Sequence, residues 1–200
     1  MIAARPLHGL VLAGGRSRRM GCDKAALVHP DGRSLARRCL DLLAEAGCDA
    51  LALSIRHDQD LPPNTGDIVD LAVIRDPAEG GVGPLSGIHA AMGSAPQADW
   101  LVLACDLPRL DAATLAHLID ARKGYDGLLS YRSEFDGLPE PLCAIYPAGA
   151  AELIGRAMAA DMRCPRKILI RENCRLLDLP TPRALENANT PDDWNLALQP

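Results

Sequence analysis

Two hundred residues, 48% of them hydrophobic, suffice for one domain with a sizeable core, and an aromatic content of only 3% leaves that core to Leu, Ile, Val and Ala. A formal net charge of −5 excludes the global basic field that duplex nucleic acid demands, and no apolar run approaches the ~20 residues of a membrane helix, so neither is an expected partner. Seven cysteines without Cys-x-x-Cys or zinc-type spacing, behind a start with no leader pattern, are read as reduced thiols in a cytoplasmic protein.

Residues 7–12 read as the first strand, an apolar run that enters the small-residue turn Ala13-Gly14-Gly15. Ser34 caps a helix whose Leu35, Cys39, Leu42, Leu43 and Ala46 share one face, and Gly47 ends it. Residues 50–55 and 71–75 are the next strands, separated by a loop over 59–70 with Pro62, Pro63 and Gly66. A helix opens at Pro84 and runs to Met92, and the unbroken apolar run 100–104 predicts a central strand. The Asp111 region starts a helix with Leu115, Leu118 and Ile119 inward, followed by strands at 127–131 and 141–146. Ala150, Leu153, Ile154, Ala157 and Met158 give one more helical face, 165–173 a short helix, and Thr190 caps a last helix from Pro191. Apolar runs alternating with helical patterns predict a single α/β domain over residues 1–200, a mostly parallel sheet in three α/β/α layers.

The chemistry concentrates after the first strand. Two adjacent glycines let backbone approach a ligand and turn amides toward it. Arg16, Arg18, Arg19 and Lys24 then place four positive charges within nine residues. A nucleoside triphosphate suits that density, although a solvated basic loop is the plain alternative. Neither Gly-x-x-x-x-Gly-Lys-Ser/Thr nor Gly-x-Gly-x-x-Gly occurs, so the two familiar phosphate loops are excluded.

The segment Leu12-Ala13-Gly14-Gly15-Arg16-Ser17-Arg18-Arg19-Met20-Gly21-Cys22-Asp23-Lys24 resembles the signature of the molybdenum cofactor guanylyltransferase family. Asp76 with Gly83-Pro84-Leu85-Ser86-Gly87 resembles that family's Asp…Gly-Pro-Leu-x-Gly element. Cys105-Asp106-Leu107-Pro108 resembles its metal-binding Cys-Asp-x-Pro, and Asn187-Ala188-Asn189-Thr190-Pro191 its Asn-x-Asn-Thr-Pro. The four occur in family order across nearly the whole chain. The resemblance implies a Rossmann-like nucleotidyltransferase fold and transfer of GMP from GTP to a molybdopterin-type cofactor, with Mg²⁺. It also implies transient contact with molybdoenzymes.

Nucleotidyl transfer needs charge neutralised at the α-phosphate, an in-line acceptor and a stabilised pyrophosphate. Asp106, just beyond a buried strand end where α/β sheets gather ligands, is the expected metal ligand; a turn cap is its plain alternative. Asp76 ends the neighbouring strand and by resemblance touches the nucleotide, with a second metal contact as a further option, or else is an ordinary strand-end turn. Lys24 is the expected mobile charge against the phosphates, with Arg18 and Arg19 gripping the leaving pyrophosphate. Leu12, Ala13, Gly14 and Gly15, with Gly83, Pro84 and Leu85, should cradle the nucleotide. In carrying Gly14 and Gly83-Pro84-Leu85 the chain resembles the guanylyl-transferring members, which implies GTP over CTP; the physical reading is that a missing methyl leaves room for a purine, and the residues alone leave ATP open.

One place departs from the family. Where Asn-Arg-His is frequent, this chain has Ile55-Arg56-His57, and Ile cannot hydrogen-bond a base, leaving Arg56 or a backbone carbonyl to do so. Glu140, between Pro139 and Pro141, is either an acceptor or metal contact or part of a surface turn. Asn187 and Asn189 either meet the acceptor or cap the last helix. The five histidines belong to no shared motif and read as structural or surface residues. Two other readings remain: the same fold with a sugar or alcohol phosphate acceptor or with CTP, and a GTP-binding module without catalysis.

Overall fold

Along the first strand, β1 (Leu7–Leu12), side chains enter opposite cores: Leu7 and Val11 join one apolar cluster and Leu10 the other, as the two-residue repeat of a strand requires. The computed structural model describes residues 5–15, 23–76 and 83–197. The further strands are β2 (Ala50–Ile55), β3 (Ala72–Arg75), β4 (Asp99–Ala104), β5 (Leu129–Arg132), β6 (Pro139–Tyr146) and β7 (Arg175–Leu177). The helices are α1 (Leu35–Glu45), α2 (Pro84–Ser94), α3 (Ala112–Arg122), α4 (Ala150–Ala159), α5 (Pro165–Arg171) and α6 (Pro191–Ala197).

The strands form one sheet in the order β3-β2-β1-β4-β6-β5-β7. Only β6 runs against its neighbours, pairing antiparallel with β4 and β5. Ala36, Cys39, Leu40 and Leu43 of α1, with Leu115 and Leu118 of α3, fill the cluster on one face. Leu85, Ile88 and Met92 of α2, Ile154 of α4 and Ile168 of α5 fill the other. This is the expected three-layer, mostly parallel arrangement. From β1 the chain steps outward through β2 to β3, then returns to the other side of β1 as β4. The carboxyl ends of β1 and β4 therefore flank a topological switch point, where open α/β sheets leave a crevice.

The helices start at Ser34 and Thr190, read as caps, and at Asp111, in the region where a helix was expected. Ser34 Oγ accepts from Arg37 N at 3.2 Å, Asp111 Oδ1 from Thr114 N at 2.7 Å, and Thr190 Oγ1 from Asp193 N at 3.1 Å. Gly47, at φ 87°, closes α1. Several boundaries differ from expectation. β4 begins one residue early, at Asp99, whose buried carboxylate is neutralised by Arg122 Nε at 2.7 Å. β6 begins at Pro139, so Glu140 lies inside a strand and the surface-turn alternative is overturned. A register shift between Ser130 and Arg132 of β5 accommodates that proline-containing end. β7 was not expected, because three residues carry too little periodicity.

Gly87 decides how closely α2 approaches the sheet. A methyl there would clash with Ser54 Oγ and stand 2.9 Å from Leu12 Cδ2. Gly87→Ala is expected to destabilise the fold by about 1–3 kcal/mol through overpacking, measured as a lower denaturant midpoint. An unchanged midpoint would mean that α2 can lift without penalty.

Candidate functional site

At the switch point lies a cavity of about 350 Å³. The end of β1 and its turn (Leu12, Ala13, Gly14 and Gly15) line one side, and Ala104, Cys105 and Asp106 beyond β4 the other. Ser54, Asp76, Gly83 and Pro84, together with Asp23, Lys24, Leu142 and Asn189, complete it. Residues 82 apart in sequence meet here: Lys24 Nζ donates to Asp106 Oδ2 at 2.9 Å and to Asn189 Oδ1 at 2.7 Å. Both ionic side chains are largely withdrawn from solvent, at 12% and 22% exposure.

Local structure explains each position. Asp23 caps a single 3₁₀ turn over Lys24–Ala26, its Oδ1 accepting from Ala25 N at 3.0 Å, and so presents Lys24. Asp106 lies two residues beyond the end of β4, and its carbonyl accepts from Ala188 N at 3.1 Å, which draws residues 187–190 alongside. Thr190 supplies the helix cap, so the amide of Asn189 is left to face Lys24. Gly83, at φ 64°, adopts a conformation that favours glycine and leads into Pro84 at the first position of α2.

Not every expected residue reaches the cavity. Leu85 is fully buried in the core beneath α2, because it falls on the helix face turned to the sheet, so it packs rather than touches a ligand. Glu140 and Asn187 line a neighbouring cavity of about 130 Å³ that shares Ala104 and Leu142 with the first. Arg18 and Arg19 lie outside the described residues. Ile55 is wholly buried, and Arg56 donates to the carbonyls of Gly14 and Gly15 at 3.3 and 3.0 Å, so it braces the turn. A methyl on Gly14 would stand 3.3 Å from Asp76 Oδ2 and 3.4 Å from Arg56 N, filling the gap between the ends of β1 and β2.

Sequence reading missed Ser54, Asp23, Leu142 and Arg166. Ser54 had a signal, as the one polar residue of an otherwise apolar strand. Arg166 had none: it lines the smaller cavity while donating to Asp136 Oδ2 at 2.8 Å and Glu140 Oε2 at 3.2 Å, contacts that only the fold creates.

Burial raises the Asp76 carboxyl above its ordinary range, with nearby Arg56 opposing the shift. A carboxyl that holds its proton more tightly when folded subtracts stability as pH rises from the ordinary value through the raised one. Asp76→Asn should therefore be the more stable protein at pH 7, with the gain vanishing below the ordinary aspartate range. Denaturant midpoints at the two pH values test this, and an equal difference at both would remove burial as the cause. Burial also raises the Cys105 thiol, the Asp106 carboxylate adding to the shift, and pushes Cys39 up to about 12. Neither thiol is a nucleophile at neutral pH.

The described lining residues include three carboxylates, Asp23, Asp76 and Asp106, and one ammonium, that of Lys24, which contacts Asp106. That donor set fits a divalent cation taking one or two protein carboxylates and its remaining ligands from phosphate and water. No three His, Cys, Asp or Glu side chains cluster as a complete metal cage among the described residues.

Residues 9–175 match the family described as the MobA-like NTP transferase domain. A probable molybdenum cofactor guanylyltransferase of Opitutus terrae is 35% identical over 200 residues, covering 95% of this chain and 94% of that one. A molybdenum cofactor biosynthesis bifunctional protein of Synechocystis is also 35% identical, over 96% of this chain, which spans 54% of that longer protein. Among solved structures, molybdopterin-guanine dinucleotide biosynthesis protein A from Archaeoglobus fulgidus superposes with a TM-score of 0.75 at 26% identity, covering 95% of this chain and 96% of that one.

Proposed function

The chain belongs to the MobA-like NTP transferase family, and on that premise we propose that it transfers GMP from GTP to a molybdopterin-type molybdenum cofactor. A phosphate oxygen of the acceptor attacks the α-phosphorus, the bond from that phosphorus to the β-phosphate oxygen breaks, and pyrophosphate leaves. The observation that carries the reading is the meeting of Lys24 with Asp106 at the mouth of β1 and β4, 2.9 Å apart inside one cavity.

The chain's own groups divide the work. The backbone of Leu12 to Gly15 and the Gly83-Pro84 turn would cradle the nucleoside, and Lys24 would offset charge on the phosphates. Asp106 would hold Mg²⁺, with Asp76 within the same cavity as a second carboxylate. Bound there, the ion would supply Lewis-acid stabilisation of the phosphate charge. The acceptor would enter from the smaller cavity, where Glu140, Asn187 and the cation of Arg166 stand, and meet the nucleotide across the shared wall of Ala104 and Leu142. Transient contact with a molybdoenzyme and a cytoplasmic setting complete the proposal; no described helix is long and apolar enough to cross a membrane.

The test is a panel of GTP, CTP and ATP with purified protein, molybdopterin and Mg²⁺, scored by product mass. A guanine dinucleotide product that requires both acceptor and Mg²⁺ is expected. Transfer from CTP, or to a sugar phosphate in place of molybdopterin, would overturn the assignment.

A further inference from the structure

A buried amide outside the cavity holds both ends of the basic loop. Gln59 is 5% exposed, and its side chain makes three hydrogen bonds, one within its own turn and one to each of two distant segments. Its Nε2 donates to Ala13 O at 3.1 Å and to Asp23 Oδ2 at 2.6 Å, while its Oε1 accepts from Arg56 N at 3.1 Å. Ala13 is where the chain leaves β1 toward the glycines, and Asp23 is where it returns as the cap that presents Lys24. Gln59 is itself fixed from behind: Arg75 Nη1 donates to the carbonyls of Arg56, His57 and Gln59 at 3.3, 3.2 and 2.9 Å.

We infer that Gln59 is a positioning residue for nucleotidyl transfer, a staple that sets the distance between the glycine turn and Lys24. The inference rests on the reading of the site as a nucleotidyltransferase centre. Its physical basis is the inequality of the two loop ends. The outgoing end has other holds, since Ala13 N donates to Ser54 O at 2.8 Å and Arg56 grips the carbonyls of Gly14 and Gly15. At the returning end Gln59 grips the very carboxylate whose other oxygen caps the turn carrying Lys24. Loss of the amide would leave the nucleotide cradle in place and free Asp23 to swing, carrying Lys24 out of register. A displacement of about 1 Å at a reacting centre is enough to cost on the order of 10²-fold in rate.

The consequence is a split between kcat and KM. Gln59→Leu, of similar volume, should lower kcat by about 10–100-fold and change the KM for GTP by less than about threefold. Gln59→Glu should be at least as damaging, because it sets a carboxylate against Asp23. The exchange Asp23→Asn with Gln59→Glu restores a donor–acceptor pair of the opposite sense and should recover part of that loss in kcat, as direct coupling between the two side chains requires. Amide hydrogen exchange over residues 24–26 should quicken in Gln59→Leu while α3 keeps its protection. Wild-type kcat in Gln59→Leu, or no recovery in the double variant, overturns the inference. Should the wild-type protein itself fail to use GTP, the functional reading falls by that result alone. Unchanged exchange at 24–26 would then overturn the staple independently.

Discussion

Replacing Asp106 by Ala should lower kcat by about 10²–10³-fold, a barrier increase of roughly 3–4 kcal/mol. Asp106 combines two features: a position two residues beyond the end of the central strand β4 and direct contact with Lys24. Asp23 spends both carboxylate oxygens on the turn cap and Gln59, and Asp76 is set back by burial that favours its neutral form. Asp106→Asn separates charge from shape, since the amide oxygen still accepts from Lys24 while the negative charge is gone. Its loss should approach that of Asp106→Ala, and neither variant should respond to raised Mg²⁺ as the wild type does. Steady-state rates against Mg²⁺ concentration decide the matter, and full turnover by Asp106→Asn would remove the metal role proposed for this carboxylate.

The sequence made the frame legible because a strand repeat and a cap are local properties. β1 and β2 fall where the apolar runs fall, and Ser34, Asp111 and Thr190 start helices because a side-chain oxygen two or three residues ahead is all that such a start requires. The site was legible where residues follow a strand end, as with Gly14, Asp76 and Asp106. It was illegible where function depends on what lies across the fold. Leu85 sits in a motif yet faces the core, because the phase of α2 turns position 85 to the sheet. Gln59 sits in a loop of prolines and acids with no pattern around it, and only the meeting of three segments gives its amide a task. Glu140 was ambiguous because two flanking prolines suggest a turn, whereas the sheet takes them at the irregular start of β6.

Replacing Lys24 by Ala should separate two properties that usually fall together. Its ammonium now stands 2.9 Å from Asp106 Oδ2, where a divalent cation would also bind. In the absence of nucleotide, protein cation and metal ion compete for one carboxylate, so removing the lysine relieves a like-charge repulsion. Lys24→Ala should therefore bind Mn²⁺ or Mg²⁺ several-fold more tightly when free of nucleotide. Turnover should nevertheless fall by about 10²–10³-fold, because the charge that offsets the phosphates is lost. Lys24→Arg should recover only part of the rate: a planar fork cannot place a compact charge between Asp106 and Asn189 as the ammonium does. Calorimetry with the metal alone, set beside steady-state rates, reads the two effects separately. Weaker metal binding in Lys24→Ala would mean that the lysine organises Asp106 for the ion instead of competing with it, and the division of labour between the two residues would have to be redrawn.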